Sequence, residues 1–294
     1  MKKWTLYFLM GIFSPAIQAA GLDNLPENHP VNGGVTIIPL DSAQKPEVRY
    51  EGIKIIVLPS LQSKQWLLIV GIPLDKPAGI EKIAVILPHA GSIPFHVSKK
   101  FYVSQYLTIT DTSKVDVSTT DEQRVAAETK ALNALYSQYT QANPFAKPLI
   151  APVHAPISSL FGLQRFYNKK PRTPHSGLDI AAVANTPVHS IADGKVVSVA
   201  DYFFTGNTVI VDHGMGVFSL YGHLQQTDVK MGQQINQGTI VGLVGKTGRA
   251  TGPHLHWSMI MNQTLVDPLL FVPVRIITAV AAKKVQPLEK IPHA

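Results

Sequence analysis

The chain of 294 residues contains no cysteine. Disulfides, a thiolate metal centre and a cysteine-linked lipid anchor are excluded, so stability has to come from packing and from any bound metal. It also lacks a compact run of Lys and Arg, so its formal charge of +7 is dispersed and gives no support to a nucleic-acid partner. Beyond the first twenty residues no apolar stretch is long and clean enough to span a bilayer, which takes about 20 apolar residues. The nearest candidate, Leu265 to Ala282, is interrupted by Asp267, Pro268, Pro273 and Arg275, and no stable membrane span is expected.

What is present begins with an export pattern. In MKKWTLYFLMGIFSPAIQAA, Lys2 and Lys3 precede an apolar run from Trp4 to Phe13, followed by Pro15, Ala19 and Ala20. This reads as a secretory signal peptide over residues 1–20, which implies a periplasmic protein, with secretion as the alternative. Removing the leader takes Lys2 and Lys3 with it and lowers the formal charge from +7 to +5. A basic exported protein suits an anionic polymer, and bacterial wall glycopeptide fits that compartment better than nucleic acid.

With 45% hydrophobic and 15% charged residues, the chain can build two ordinary domains. The fold class is mainly β. Residues 21–118 carry short strand-like runs, "VTIIPL", "KIIVLPS", "QWLLIVGIPL", "KIAVILP" and "YLTIT", separated by Pro, Gly and Asp-Lys breaks. They read as a β-sandwich-like domain with no chemical constellation. His89 and His96 read as loop or surface residues. "DEQRVAAETKALNALYSQYT", residues 121–140, places Val125, Leu132, Leu135 and Tyr136 at helical spacing. The proline-rich stretch after it reads as a linker, so residues 119–152 are helix and linker. Residues 153–273 are dense in glycine and β-branched residues and read as a compact all-β domain, with Asp193-Gly194 as a hairpin signal. Residues 274–294 form a tail without a clear signal.

The chemistry lies in the second β region. In "GPHLHW", His254 and His256 stand two apart, and on a strand residues i and i+2 face the same side. Two imidazoles together repel when protonated, whereas a metal ion turns them into a site. Catalytic zinc takes three N or O ligands and keeps a fourth position for water. "TPHSGLDIA" supplies His175 and Asp179, with Pro174 and Gly177 arguing for a loop that enters a strand. That leaves one histidine of the HLH pair over. His223 in "SLYGHLQQ" is a further imidazole, and two unligated histidines beside an activated water could take its proton and stabilise an oxyanion. His213 and His189 read as residues of strand ends and turns.

"HSGLD", "YGHL" and "GPHLH", in that order, resemble the lysostaphin-type (LytM-domain) zinc metallopeptidases, which cleave peptide cross-bridges of peptidoglycan. The resemblance covers about residues 157 to 271 and includes "SSLFG", "ADGKV", "VDHGMG" and "VDP". It implies zinc bound by His175, Asp179 and His256, with His223 and His254 as the catalytic histidines. It also implies an endopeptidase acting on peptidoglycan peptide stems, at the D-alanyl to meso-diaminopimelate link for a Gram-negative source. Members with an N-terminal β domain agree with residues 21–118. That domain, joined by a rigid helix, is expected to lie across the groove and restrain cleavage. Gln164 and Lys169 depart from the usual arginine and glycine, which bears on substrate contact and not on the metal. Two alternatives are a catalytically silent module that activates wall amidases and a secreted protease of glycine-rich peptides. The "GQQINQGTIVGLVGKTG" stretch also resembles a biotinyl or lipoyl hairpin around Lys246, but such a carrier has no use for the five His and Asp residues.

Overall fold

The structure is a computed structural model that describes residues 24–107, 119–168 and 170–272. The expected leader, the 274–294 tail and Lys169 lie outside the described residues.

The N-terminal part is built from two antiparallel sheets. In the first, strand Gln65–Gly71 runs between Val35–Asp41 and Ile56–Pro59. In the second the order is Ile53–Lys54, Glu47–Tyr50, Gly79–Leu87, Gly91–Val97. Tyr50, Val57, Leu68, Val70, Ile83 and Phe95 fill the space between them. The run "QWLLIVG" has no polar alternation because its strand is covered on both faces, as continuous apolar strands usually are. Leu68 and Val70 point into the N-terminal core, while Leu67 and Ile69 join a second and larger core.

That larger core belongs to the C-terminal part. Its main sheet has the order Gln234–Ile235, Gly194–Tyr202, Gly206–Gly214, Val217–Gly222, Leu255–Met261, Leu178–Ile180, Ile157–Ser159. A smaller sheet of Pro187–His189, Ile240–Val244 and Leu224–Thr227 accompanies it. Along the central strands alternate residues serve two sides. Val209, Val211 and Tyr221 enter the main core, whereas Ile210, Phe218 and Leu220 form an outer cluster.

The helix Thr119–Tyr136 covers that outer cluster with Leu132, Leu135 and Tyr136, the Tyr136 and Phe218 rings standing 5.6 Å apart. It stops short of the 121–140 expectation because the chain beyond it is claimed by tertiary partners. The Tyr139 hydroxyl donates to the Ile55 carbonyl at 3.3 Å, and the Thr140 carbonyl accepts from Met215 N at 2.9 Å. The following proline-rich segment is packed and not loose: Phe145, Leu149, Ala151 and Val153 are buried in the main core, and Phe145 stacks on Phe271 at 6.4 Å. Proline there shapes an extended strap that turns Phe145, Leu149, Ala151 and Val153 inward while Ala142 and Ala146 stay exposed.

Asp193-Gly194 does not make a hairpin. The strand before it pairs with Ile240–Val244 and the strand after it with Gly206–Gly214 and Gln234–Ile235. The dipeptide is a corner, held because the Asp193 carboxylate accepts from Gln237 N at 2.7 Å and Lys147 Nζ at 2.9 Å.

Polar contacts join the halves beyond apolar packing, among them the Lys100 Nζ to Asp267 Oδ2 ion pair at 3.0 Å and the two that follow. The Asn262 side chain donates to the Gly71 carbonyl at 3.0 Å and accepts from Gly71 N at 2.7 Å, so it completes the edge of the Gln65–Gly71 strand. A Cβ on Gly71 would come within 2.9 Å of Met261 Cβ, so this close approach requires glycine. Strand Ser104–Leu107 pairs in parallel with Gln164–Tyr167, immediately beside the segment that carries His175. Among the described residues no helix is long and apolar enough to cross a membrane.

Candidate metal and catalytic site

Asp179 and His256 are cross-strand partners, Asp179 on Leu178–Ile180 and His256 on Leu255–Met261. On its other side His256 is paired with Gly222, the residue before His223. His175 arrives from the loop ahead of Asp179. Gly177 lets that loop lie close to the sheet, since a Cβ there would meet the Trp257 carbonyl oxygen at 2.5 Å. Three polar side chains separated by up to 81 residues thus meet at one point, all of them buried.

Their inner atoms form a small triangle. His175 Nε2 is 2.9 Å from Asp179 Oδ1, His256 Nδ1 is 2.9 Å from the same oxygen, and the two nitrogens are 3.2 Å apart. The outer nitrogens decide what these contacts are. His175 Nδ1 lies 2.8 Å from the Leu160 carbonyl, which can only accept, so Nδ1 carries the proton and Nε2 of the neutral ring is a bare lone pair. His256 Nε2 lies 3.0 Å from the Ser258 hydroxyl, which can accept its proton and leave Nδ1 bare as well. Two bare nitrogens and a carboxylate oxygen facing one another at such distances call for a cation between them. The set of two imidazoles and one carboxylate fits zinc, whose ligand bonds are about 2.0–2.2 Å, and the outer carbonyl and hydroxyl are the usual orienting partners of metal-bound imidazoles. Burial alone would raise the Asp179 carboxyl, but His175 and His256 against it outweigh that effect and hold it well below the usual carboxylate range. Burial lowers His256, with Asp179 opposing. Both directions favour the deprotonated forms that bind metal.

His223 and His254 stand next to this triangle. Their ring centroids are 4.6 Å apart, His223 is 5.8 Å from the His256 ring, and His254 Nε2 is 3.7 Å from Asp179 Oδ1. Each is oriented by a backbone carbonyl: His223 Nδ1 donates to Thr247 O at 2.8 Å, and His254 Nδ1 to Gly252 O at 2.9 Å. Each therefore keeps its proton on Nδ1 and leaves Nε2 available. His223 holds a left-handed backbone, φ 62°, with its N–H bonded to the Thr205 carbonyl at 2.6 Å. Such a conformation in a non-glycine residue persists only where the surroundings enforce it. Burial, then the neighbouring His256 and His254, push the His223 imidazole down to about 4, so it is neutral at pH 7.

All five candidate residues converge. His213 and His189 do not. His213 is buried behind the sheet, with Nδ1 donating to the Asp193 carbonyl at 2.8 Å and Nε2 at 2.7 Å from Ser219 Oγ. His189 Nδ1 donates to Gly238 O at 2.9 Å. His96 is exposed on a strand of the N-terminal part, and His89 is exposed near that strand. The carbonyls of Leu160, Thr247 and Gly252 have no sequence signature. Ser258 does have one, since it sits two residues beyond His256 on the same strand face.

Residues 173–268 match peptidase family M23, and residues 28–100 match the peptidase family M23 N-terminal domain. The crystal structure of a peptidase M23 from Pseudomonas aeruginosa is 37% identical, covers 83% of this chain and 96% of that one, and superposes with a TM-score of 0.70. Peptidoglycan DD-endopeptidase ShyA of Vibrio cholerae serotype O1 is 42% identical over 114 residues, 38% of this chain and 26% of ShyA. DD-carboxypeptidase/endopeptidase Mpg of Neisseria meningitidis serogroup B is 38% identical over 117 residues, 40% of this chain and 27% of Mpg. The matched segment is thus about a quarter of the length of these two curated relatives.

Proposed function

The chain belongs to peptidase family M23, and on that premise we propose that it is a zinc-dependent endopeptidase of the periplasm that hydrolyses peptide cross-links of peptidoglycan, between D-alanine and meso-diaminopimelate. One observation carries the reading: three metal-competent lone pairs lie 2.9 to 3.2 Å apart with two further oriented imidazoles beside them. The names of ShyA and Mpg support the substrate class.

His175 Nε2, Asp179 Oδ1 and His256 Nδ1 would hold the ion. When bound, zinc polarises a carbonyl and lowers the pKa of a coordinated water to about 7. His223 and His254 present Nε2 toward the same space. Either Nε2 can accept the proton of the attacking water and pass it to the departing amine nitrogen, and the ring that holds that proton can donate from Nε2 to the oxyanion that develops on the scissile carbonyl. The Thr247 and Gly252 carbonyls hold the proton of each neutral ring on Nδ1, so that Nε2 is the atom that takes up a proton. The chain without its leader, at +5 after loss of Lys2 and Lys3 from the +7 of the full sequence, suits an anionic wall polymer. A silent amidase-activating module would have no need of the complete donor set.

The test is mass spectrometry of products from purified, cross-linked muropeptides. Dimers should become monomers with gain of one water, the reaction should stop with a chelator, and zinc should restore it. A folded protein that binds no zinc and leaves dimers intact would overturn the enzyme reading. Preference for glycine-rich host peptides over muropeptides would overturn the substrate.

A further inference from the structure

We propose that the helix Thr119–Tyr136, which lies outside the matched peptidase segment, positions His223 through a single turn of the sheet, with Glu128 and Arg124 as positioning residues. The inference rests on the assignment of His223 to the reaction.

The turn is Phe203–Gly206, between strands Gly194–Tyr202 and Gly206–Gly214. From the helix, Glu128 Oε2 accepts from Phe203 N at 2.9 Å. Arg124 Nε donates to Glu128 Oε1 at 2.7 Å, and Arg124 Nη2 donates to the Asp201 carbonyl at 2.8 Å. The Arg124 guanidinium also lies 5.9 Å from the Phe203 ring centre. Glu128 is largely shielded, its side chain 19% exposed, so its bond to Phe203 N is a defined charge-assisted contact and not a fluctuating surface pair.

From the turn, two routes lead to His223. The Thr205 carbonyl accepts from His223 N at 2.6 Å, which fixes the left-handed backbone. Asn207 N donates to Thr247 Oγ1 at 2.9 Å, and the carbonyl of the same Thr247 accepts from His223 Nδ1 at 2.8 Å, which fixes the ring. The turn has little room to move independently. A Cβ on Gly222 would lie 2.9 Å from Thr205 Cβ, and Cβ atoms on Gly206 or Gly248 would collide with the opposite loop. Backbone packed this tightly carries a shift of Phe203 onward to Thr205 and His223. The helix thus braces the imidazole without touching substrate.

The experiment uses the full chain, with Glu128→Ala, Glu128→Gln and Arg124→Ala. Alanine is the strongest helix former, so Glu128→Ala keeps the helix, while Gln keeps an acceptor for Phe203 N. Glu128→Ala should lower kcat on muropeptide dimers about ten-fold, with KM and zinc content unchanged and Tm only modestly lower, as expected for a displaced reacting group. Glu128→Gln should recover most of the loss, and Arg124→Ala should fall between them. Amide hydrogen exchange at Phe203 and His223 should speed up in Glu128→Ala and return toward wild type in Glu128→Gln. Unchanged exchange at His223 in Glu128→Ala would overturn the proposal, as would an unchanged kcat. So would a loss of kcat that comes with loss of zinc, or that Gln does not restore. If the wild-type protein cleaves no muropeptide, the assigned function fails, and exchange at His223 still decides whether the helix braces that residue.

Discussion

Asp179 and His256 face each other across two antiparallel strands, with Asp179 Oδ1 2.9 Å from His256 Nδ1. The sheet register itself creates this pair, so the ligand geometry is built into hydrogen-bonded backbone before any ion arrives. Sites carried on strands hold such geometry more tightly than sites on loops.

Removing a ligand and removing an oriented but unligated imidazole should have different consequences. His256→Ala is expected to lose zinc and activity together, whereas His223→Ala should retain zinc and lose activity by about 100-fold or more. Metal analysis alongside dimer cleavage checks this. A metal-free His223→Ala protein would refute the division of roles.

Ser258 reaches only the far nitrogen of His256. Ser258→Ala should weaken zinc about ten-fold by loosening the ring, with near wild-type turnover once zinc is saturating. Competition with a chromogenic chelator measures the shift, and an unaltered zinc affinity would count against it.

Asn262 should matter to stability and not to chemistry. Asn262→Ala strands the N–H and carbonyl of Gly71 in a buried seam and should cost about 3 kcal/mol, read as a lower urea midpoint. A fragment that starts at Asn143 should fare worse. It leaves Phe145, Leu149 and their neighbours without Val35, Ile56, Leu58, Leu67 and Ile69, with which they share a core. Full stability of that fragment would contradict the shared core.

His213 gives stability an acid dependence. Burial pushes its imidazole from 6.5 down to about 4, with the Asp193 carbonyl and charge opposing. The folded chain keeps the ring neutral while the unfolded chain protonates it below 6.5, so its contribution is complete above that pH and is lost as pH falls from 6.5 toward 4. The full change is about 3 kcal/mol. The stability gap between wild type and His213→Gln at pH 7 should shrink by about that amount at pH 4, as followed by urea unfolding. A gap independent of pH would show that His213 does not titrate this way.

Part of the candidate site follows short-range rules in the sequence, while its division into ligands and unligated histidines came from the family resemblance. His254 and His256 obey the two-residue period of a strand, and Gly177 and Pro174 mark the loop that delivers His175. The carbonyls that set the tautomers could not be read, since every residue has one and only the fold decides where it points. Asn262 and Gly71 are 191 residues apart, and nothing local to either announces the other. The hairpin signal at Asp193-Gly194 was overridden because the Asp193 carboxylate found long-range partners in Gln237 and Lys147. The strap from Gln141 to Pro156 is rich in prolines, which report backbone shape and say nothing about burial. Its apolar residues, Phe145, Leu149 and Val153, were the better guide. The run "QWLLIVG" carried a clue of the same kind: a strand apolar on both faces needs a second cover besides the facing sheet of its own sandwich.

That strand is a party wall. Because one side lines the small core and the other lines the large one, heat or urea should melt the molecule in a single cooperative step, with no stage in which one half stands alone. Exchanging the N-terminal part for that of another protein would succeed only if the newcomer brought an equally greasy back to set against Phe145 and Met261.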